Sequence, residues 1–265
     1  VSGQSYERYL REHLFEPAGM RDSRYCSTSA VVPRRAHGYD VDNDTLRLAA
    51  YIDMVWPYSA GAICSTAGDL IAWSEALHGG RLFSAASYHE MITPGKLNDG
   101  TVIRYAKGLS LDSVDGHRRI SHGGGIPGFQ TELSYFPDDS LIVVVLVNTA
   151  GGANPEVLSR SIVDVTLGAQ PRPSVAFHGR LQDYVGTYAG VARGGKQVVH
   201  VAVDSAGKGL VYRAPHQPAE SLSYSGASDT FDHDETALTF VRTDGRVTKL
   251  RVDEVYGYNT YTRQP

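Results

Sequence analysis

Two prolines divide this chain. The segment Gly168-Ala-Gln-Pro171-Arg-Pro173 joins a helix-terminating glycine to residues that neither continue a helix nor donate to a central strand, so no regular element crosses it. On its N-terminal side, helical and strand patterns are mixed and both tryptophans, Trp56 and Trp73, occur. On its C-terminal side, short apolar runs alternate with turn residues. The break predicts two domains, 1–170 and 176–265, joined by a linker over 171–175. The net negative charge belongs to the first; the second is balanced.

Composition excludes several functions. A chain of 265 residues buries roughly 70% of its unfolded surface on folding and needs no staples to build a core. The longest apolar run, Leu141 to Val147, is far short of the ~20 residues of a membrane helix. A formal net charge of −4, with the charges interspersed, gives no footprint for nucleic acid. Residue 1 is Val and no basic-then-apolar leader follows, so periplasmic, secreted and cytoplasmic locations all stay open, as does the oligomeric state. The two cysteines, Cys26 and Cys64, lack metal or redox spacing and are read as free thiols.

In the first part, Ser5 can cap a helix carrying Tyr6, Tyr9, Leu10 and Leu14 that stops before Pro17 and Gly19. Thr66-Ala-Gly-Asp69 is a capping box for a second helix burying Leu70, Trp73 and Leu77 and closed by Gly79-Gly80. Asn154 and Pro155 start a third. Strands are predicted over 105–111, 118–121, 129–136 and 141–148, the last two joined by a turn at Pro137–Ser140. Leu141–Val147 does not alternate, so it reads as a central strand covered on both faces. The fold class is α+β, an antiparallel sheet flanked by helices. The tail, with strands over 198–203, 209–213, 228–232, 237–242 and 247–252, reads as a small all-β barrel-like domain.

The segment Ser121-His-Gly-Gly-Gly-Ile-Pro-Gly-Phe129 lies between two predicted strands. Glycines let a substrate lie directly against a strand edge and turn main-chain N–H groups toward a developing oxyanion; a histidine beside them can donate a hydrogen bond or move a proton. From the local residues alone, a glycine-rich turn with an incidental histidine is the favoured reading. His78 sits at a helix end, where a cation suits the dipole. His89, His117, His200, His216 and His233 show no metal spacing, so no metal or cofactor is expected. Trp56 reads as core and Tyr58 as a pocket residue; Tyr184, Tyr188, Tyr256 and Tyr258 read as barrel core.

Five segments in order, Val1–Tyr6, Phe15–Met20, Ala60–Leu70, Ser121–Phe129 and Val143–Asn148, resemble the later part of the penicillin-recognising serine hydrolases, the class C β-lactamase-like group that includes esterases and D-amino-acid peptidases. The tail resembles, more weakly, the lipocalin-like barrel that follows some of them. The resemblance implies acyl transfer from an ester or amide of a small-molecule or peptide substrate, through Ser-x-x-Lys, Tyr-x-Asn and Lys-Thr-Gly or His-x-Gly motifs. His122-Gly123-Gly124 matches the third. His122 and Gly125, whose N–H becomes an oxyanion donor, are then catalytic, and Gly123, Gly124 and Tyr58 bind substrate. The first two motifs are missing: the lone Ser-x-x-Lys, Ser205–Lys208, falls at a turn in the tail, and Tyr25-Cys-Ser27 follows the first helix. The resemblance thus implies an N-terminally truncated hydrolase, inactive alone. A non-catalytic scaffold or ligand-binding protein is the rival reading.

Overall fold

The computed structural model describes residues 2–42, 45–168, 175–192, 194–215, 219–233 and 236–265. The expected linker, 171–175, lies outside the described residues except for Val175. The chain divides into two compact units, Val1–Thr93 with Ala106–Pro171, and Pro94–Tyr105 with Arg172–Pro265.

The first unit carries helices α1 (Tyr6–Leu10), α2 (Glu16–Ala18), α3 (Tyr58–Gly61), α4 (Ala67–His78), α5 (Ala85–Met91) and α6 (Pro155–Val163). Its strands are β1 (Arg24–Tyr25), β2 (Tyr39–Asp42), β3 (Thr45–Leu48), β4 (Ile63–Cys64), β5 (Ser110–Val114), β6 (His117–Ile126), β7 (Phe129–Phe136), β8 (Leu141–Val147) and β9 (Thr149–Ala150). The predicted caps form. Ser5 accepts from the Arg8 N–H, Thr66 from the Asp69 N–H, and Asn154 from those of Glu156 and Val157. The first helix does not stop before Pro17. A π-helical turn, Arg11–Phe15, leads into α2, and Gly19, with φ at +80°, ends it. That turn takes the ladder out of register just where proline has no N–H to give, so Pro17 fits in the last turn. Leu10, Phe15, Ala18 and Met20 then pack with Ala76 of α4.

A four-stranded antiparallel sheet runs in the order β5-β6-β7-β8. This corrects the reading of Leu141–Val147 as a central strand, because β8 stands at the end of that order. Its apolar run is explained by helices, since α6 and α4 both pack on it. Val143 and Val145 join Val114, Phe136 and Val163 of α6 in one buried cluster. Tyr135, on the other face, stacks on His78 of α4 at 4.0 Å between ring centroids. The glycine run is another correction: β6 continues through it to Ile126, so it is neither a loop between strands nor an incidental turn.

Cys26 and Cys64 form a disulfide, their Cα atoms 5.3 Å apart across 38 residues of sequence, so the reading of two free thiols is overturned. Pairing of β1 with β4 sets Arg24 opposite Cys64 and so brings together cysteines that are distant in sequence.

In the second unit β10 (Gly186–Ala192), β11 (Gly195–Val203), β12 (Leu210–Arg213), β13 (Glu220–Tyr224), β14 (Thr230–His233), β15 (Thr236–Thr243), β16 (Arg246–Glu254) and β17 (Gly257–Arg263) close into an antiparallel barrel. Inward residues fill it, among them Tyr184, Tyr188, Leu210, Phe231, Leu238, Phe240 and Leu250. Two of the four tail tyrosines depart from the core reading. Tyr256 is 61% exposed, and the Tyr258 hydroxyl donates to Asp99, in the segment that leaves the first unit's sequence to join this one. Ser205 and Lys208 lie in a turn, where Asp204 accepts from the Lys208 N–H. No helix of the described residues is long and apolar enough to cross a membrane.

Candidate functional site: an open strand edge

The site is built on β6. Strand β5 pairs with it only as far as Ser110 opposite Ser121, whereas β7 pairs along its whole glycine stretch, from His122 opposite Leu133 to Ile126 opposite Phe129. Among the described residues, no strand pairs with the edge of Gly123–Ile126 that faces away from β7. Pro127 and Gly128, with φ of +78° at Gly128, make the two-residue turn that closes the β6–β7 hairpin. Residues flanking such a turn hydrogen-bond across it, and direction alternates along a strand. Ile126, Gly124 and His122 thus face β7, and Gly123 and Gly125 direct their N–H and C=O groups to the open edge.

Neighbours fix that strand closely. At Gly123 a β-carbon would stand 3.0 Å from Glu132 Oε2; at Gly124, 2.8 Å from Thr131 Oγ1; at Gly125 it would meet nothing within 4 Å. In the turn, a β-carbon on Gly128 would lie 2.6 Å from the Gly38 Cα, so only glycine lets these two backbones cross. His37, next to it, accepts from Asn148 Nδ2 at 3.0 Å, and the Tyr39 N–H donates to the Asn148 carbonyl. His122 is exposed, and its Nδ1 lies 2.5 Å from the Gly123 carbonyl oxygen.

The structure brings Tyr58 to the far end of the same strand. Helix α3 packs on β6, where a β-carbon on Gly61 would be 3.7 Å from Ile126. Tyr58 itself takes φ +40° and is 51% exposed. Its ring lies 5.1 Å from that of Tyr6 and 6.5 Å from that of Tyr25. Burial, then the neighbouring phenols of Tyr58 and Tyr25, push the Tyr6 hydroxyl above its ordinary pKa. Ile126 also packs against the cluster of Cys26, Met54 and Ala62, so the disulfide underlies this end of the strand. Trp56 is not core: it is 84% exposed, beside Tyr58.

Behind the glycines lies a buried charged strip that sequence reading missed. Arg119 donates to both oxygens of Asp112 at 2.7 Å and stands 3.8 Å from Glu132. Burial raises the Glu132 carboxyl above the ordinary range, opposed by the Ser134 hydrogen bond and by Arg119. No periodic signal marks it: Arg118 and Arg119 are adjacent in β6, Glu132 is the one charged residue of β7, and the burial of Arg119 is decided by Asp112 opposite it on β5. His78 is also corrected. Burial lowers its pKa to about 4, and Nδ1 is 2.7 Å from the Tyr88 hydroxyl, so it is a neutral packing group and not a cation at the helix end. Among the described residues no cluster of three or more His, Cys, Asp or Glu could hold a metal.

The beta-lactamase family model matches residues 1–167. This chain belongs to that family. Among curated relatives it is 28% identical over 167 residues to a D-aminopeptidase of Brucella anthropi, covering 63% of this chain and 31% of the relative. It is 31% identical over 153 residues to a putative penicillin-binding protein of Bacillus subtilis, covering 58% and 37%. A D-aminopeptidase of Brucella melitensis is 26% identical over 254 residues, covering 96% of this chain and 46% of the relative. The chain thus spans less than half the length of these relatives. Among solved structures, a D-stereospecific amidohydrolase from Streptomyces superposes with a TM-score of 0.55 at 21% identity, over 64% of this chain and 50% of that one. The octameric penicillin-binding protein homologue of Pyrococcus abyssi does so at 0.53 and 22%, over 98% and 60%. At these identities the structures speak to the fold alone.

Proposed function

We propose that residues 1–170, a helix-flanked sheet, form the substrate-facing wall of a serine hydrolase of the esterase or D-amino-acid peptidase type. Its Ser-x-x-Lys and tyrosine motifs are supplied by residues outside this sequence, and 176–265 form a separate lipocalin-like barrel domain. The observation that carries the reading is the open edge of β6. Gly123 and Gly125 turn main-chain groups to an edge that carries no strand, with His122 Nδ1 on the Gly123 carbonyl and open space at Gly125, so an extended acyl group can pair with the strand as an added antiparallel strand does.

In this reading the Gly125 N–H is one donor to the tetrahedral oxyanion, and loss of such a donor typically costs ~3–4 kcal/mol of transition-state stabilisation. His122 stands beside the edge to donate a hydrogen bond or move a proton at the leaving group. Gly123 and Gly124 admit the substrate backbone, and Tyr58 borders its side chain. Lysine's compact ammonium is a stronger hold on a β-lactam carboxylate than a histidine in its place, so esters and amides of small molecules or peptides are preferred over β-lactams. The names of the D-aminopeptidase relatives support the amide class.

The test is hydrolysis of D-amino-acid amides and short-chain p-nitrophenyl esters by this chain alone and by the same chain extended through its upstream coding sequence. The reading expects turnover only in the extended protein, lost when its Ser-x-x-Lys serine becomes alanine. An upstream sequence without Ser-x-x-Lys would favour the non-catalytic scaffold instead.

A further inference from the structure

The second unit has a cleft of its own at one end of the barrel. It has a volume of about 650 Å³, and its lining includes Asp183, Arg242, Gly245, Arg246, Thr248 and Arg263. The interior behind it is closed by Tyr184, Tyr188, Phe231 and Phe240, so a ligand has room at the barrel's end and not inside.

Three guanidiniums, those of Arg242, Arg246 and Arg263, line it together with Asp183, and their partners differ in kind. Arg242 is compensated: Nε donates to both oxygens of Asp229 at 3.0 and 3.2 Å, and Nη1 lies 3.5 Å from Asp183. Arg263 is not. Its donors go to the main-chain carbonyls of Asp183 at 3.0 Å, Val247 at 3.3 Å, and Val185. These fix the guanidinium in place and leave its charge without a counter-charge. Arg246 follows the hairpin turn Asp244-Gly245, where φ is +50° and +76°, and stands exposed at the cleft. Among the described residues, neither Arg246 nor Arg263 has a carboxylate at ion-pair distance. Asp183 is shared with Arg242 and, at 3.9 Å, with Arg180.

A half-buried guanidinium held by neutral carbonyls and a second one free at the rim make an anion site in which one partner is already ordered. The planar fork of arginine matches carboxylate and phosphate oxygens and loses little freedom per hydrogen bond formed. We propose that this cleft binds the oxyanion of a small molecule, a carboxylate or a phosphate, between Arg246 and Arg263. The site does not depend on the hydrolase reading of the first unit.

The experiment titrates the full chain at low ionic strength with malonate and, separately, with inorganic phosphate, following main-chain amide shifts by NMR. The expected result is saturable, one-to-one shifts at residues 244–248 and 262–264 with at least one probe, the preferred probe naming the oxyanion. Arg246→Gln, at an exposed turn, should weaken binding about ten-fold. Lys196→Gln removes the same charge from the hairpin at the opposite end of the barrel and should leave binding unchanged. Shifts that do not saturate, that lie elsewhere on the chain, or that respond equally to both substitutions overturn the proposal.

Discussion

Glu132 Oε2 stands 3.0 Å from the point where a β-carbon on Gly123 would lie. The carboxyl is held there by Ser134 at 2.9 Å, so it cannot swing away freely. Gly125, two residues on, has open space at the same point. Gly123→Ala should therefore destabilise the protein relative to Gly125→Ala by about 1–2 kcal/mol, while Gly125→Ala is neutral or gains a few tenths from lost chain entropy. Urea midpoints of the two variants check the difference; equal midpoints contradict the close approach.

Arg119 and Asp112 form a buried pair, with only 2% and 5% of their side chains exposed. Arg119→Met removes one partner and leaves Asp112 and Glu132 facing each other without the cation. The expected loss is about 3–5 kcal/mol, read from chemical denaturation. Arg118→Met, next in sequence but bonded to Asp138 on the surface, should cost under about 1 kcal/mol.

His78 carries a pH dependence of known sign. Burial lowers its pKa from 6.5 to about 4, so between those values the unfolded chain binds a proton that the folded protein refuses. Its contribution is fully present above pH 6.5 and is lost as pH falls toward 4. Allowing for partial exposure, about 1–2 kcal/mol is at stake. Denaturation at pH 7.5 and 4.5 should show a larger loss in the native protein than in His78→Gln.

The disulfide joins cysteines 38 residues apart. In the loop-entropy description a closed loop of that length is worth about 3–4 kcal/mol, and the bridge, with Cys64 in β4, belongs to the cluster on which Ile126 packs. Cys26→Ser with Cys64→Ser should lower the thermal midpoint by a comparable free energy, and the denatured, unreduced native chain should alkylate at neither cysteine. Two alkylated thiols would contradict the bridge.

What is legible in the sequence is what rests on local chemistry. Caps at Ser5, Thr66 and Asn154 announce themselves because a side-chain oxygen followed by helix formers has few other uses. Strand β7 alternates cleanly and can be read to the residue. The misreadings come where a distant partner decides the outcome. Leu141–Val147 is apolar because two helices cover it, and a run of letters does not distinguish helices from strands as the cover. Strands Gly186–Ala192 and Gly257–Arg263 hold glycines and threonines that look like turn until barrel closure pairs them. The glycines of β6 look like a loop for the same reason: their strand is specified by Leu133, Glu132 and Thr131 across the ladder. His122, Gly123, Gly124 and Gly125 are legible as a group, and the open edge that gives them meaning is not.

Intact-mass measurement after incubation with a fluorophosphonate probe tests the central claim, that residues 1–170 are one wall of an acyl-transfer site whose serine lies outside this sequence. Without its nucleophile a serine hydrolase loses on the order of 10⁶ in turnover. The expected result is no adduct on this chain alone and a single adduct, on the serine of Ser-x-x-Lys, on the chain extended through its upstream coding sequence. Stoichiometric labelling of any serine within residues 1–265 would contradict it.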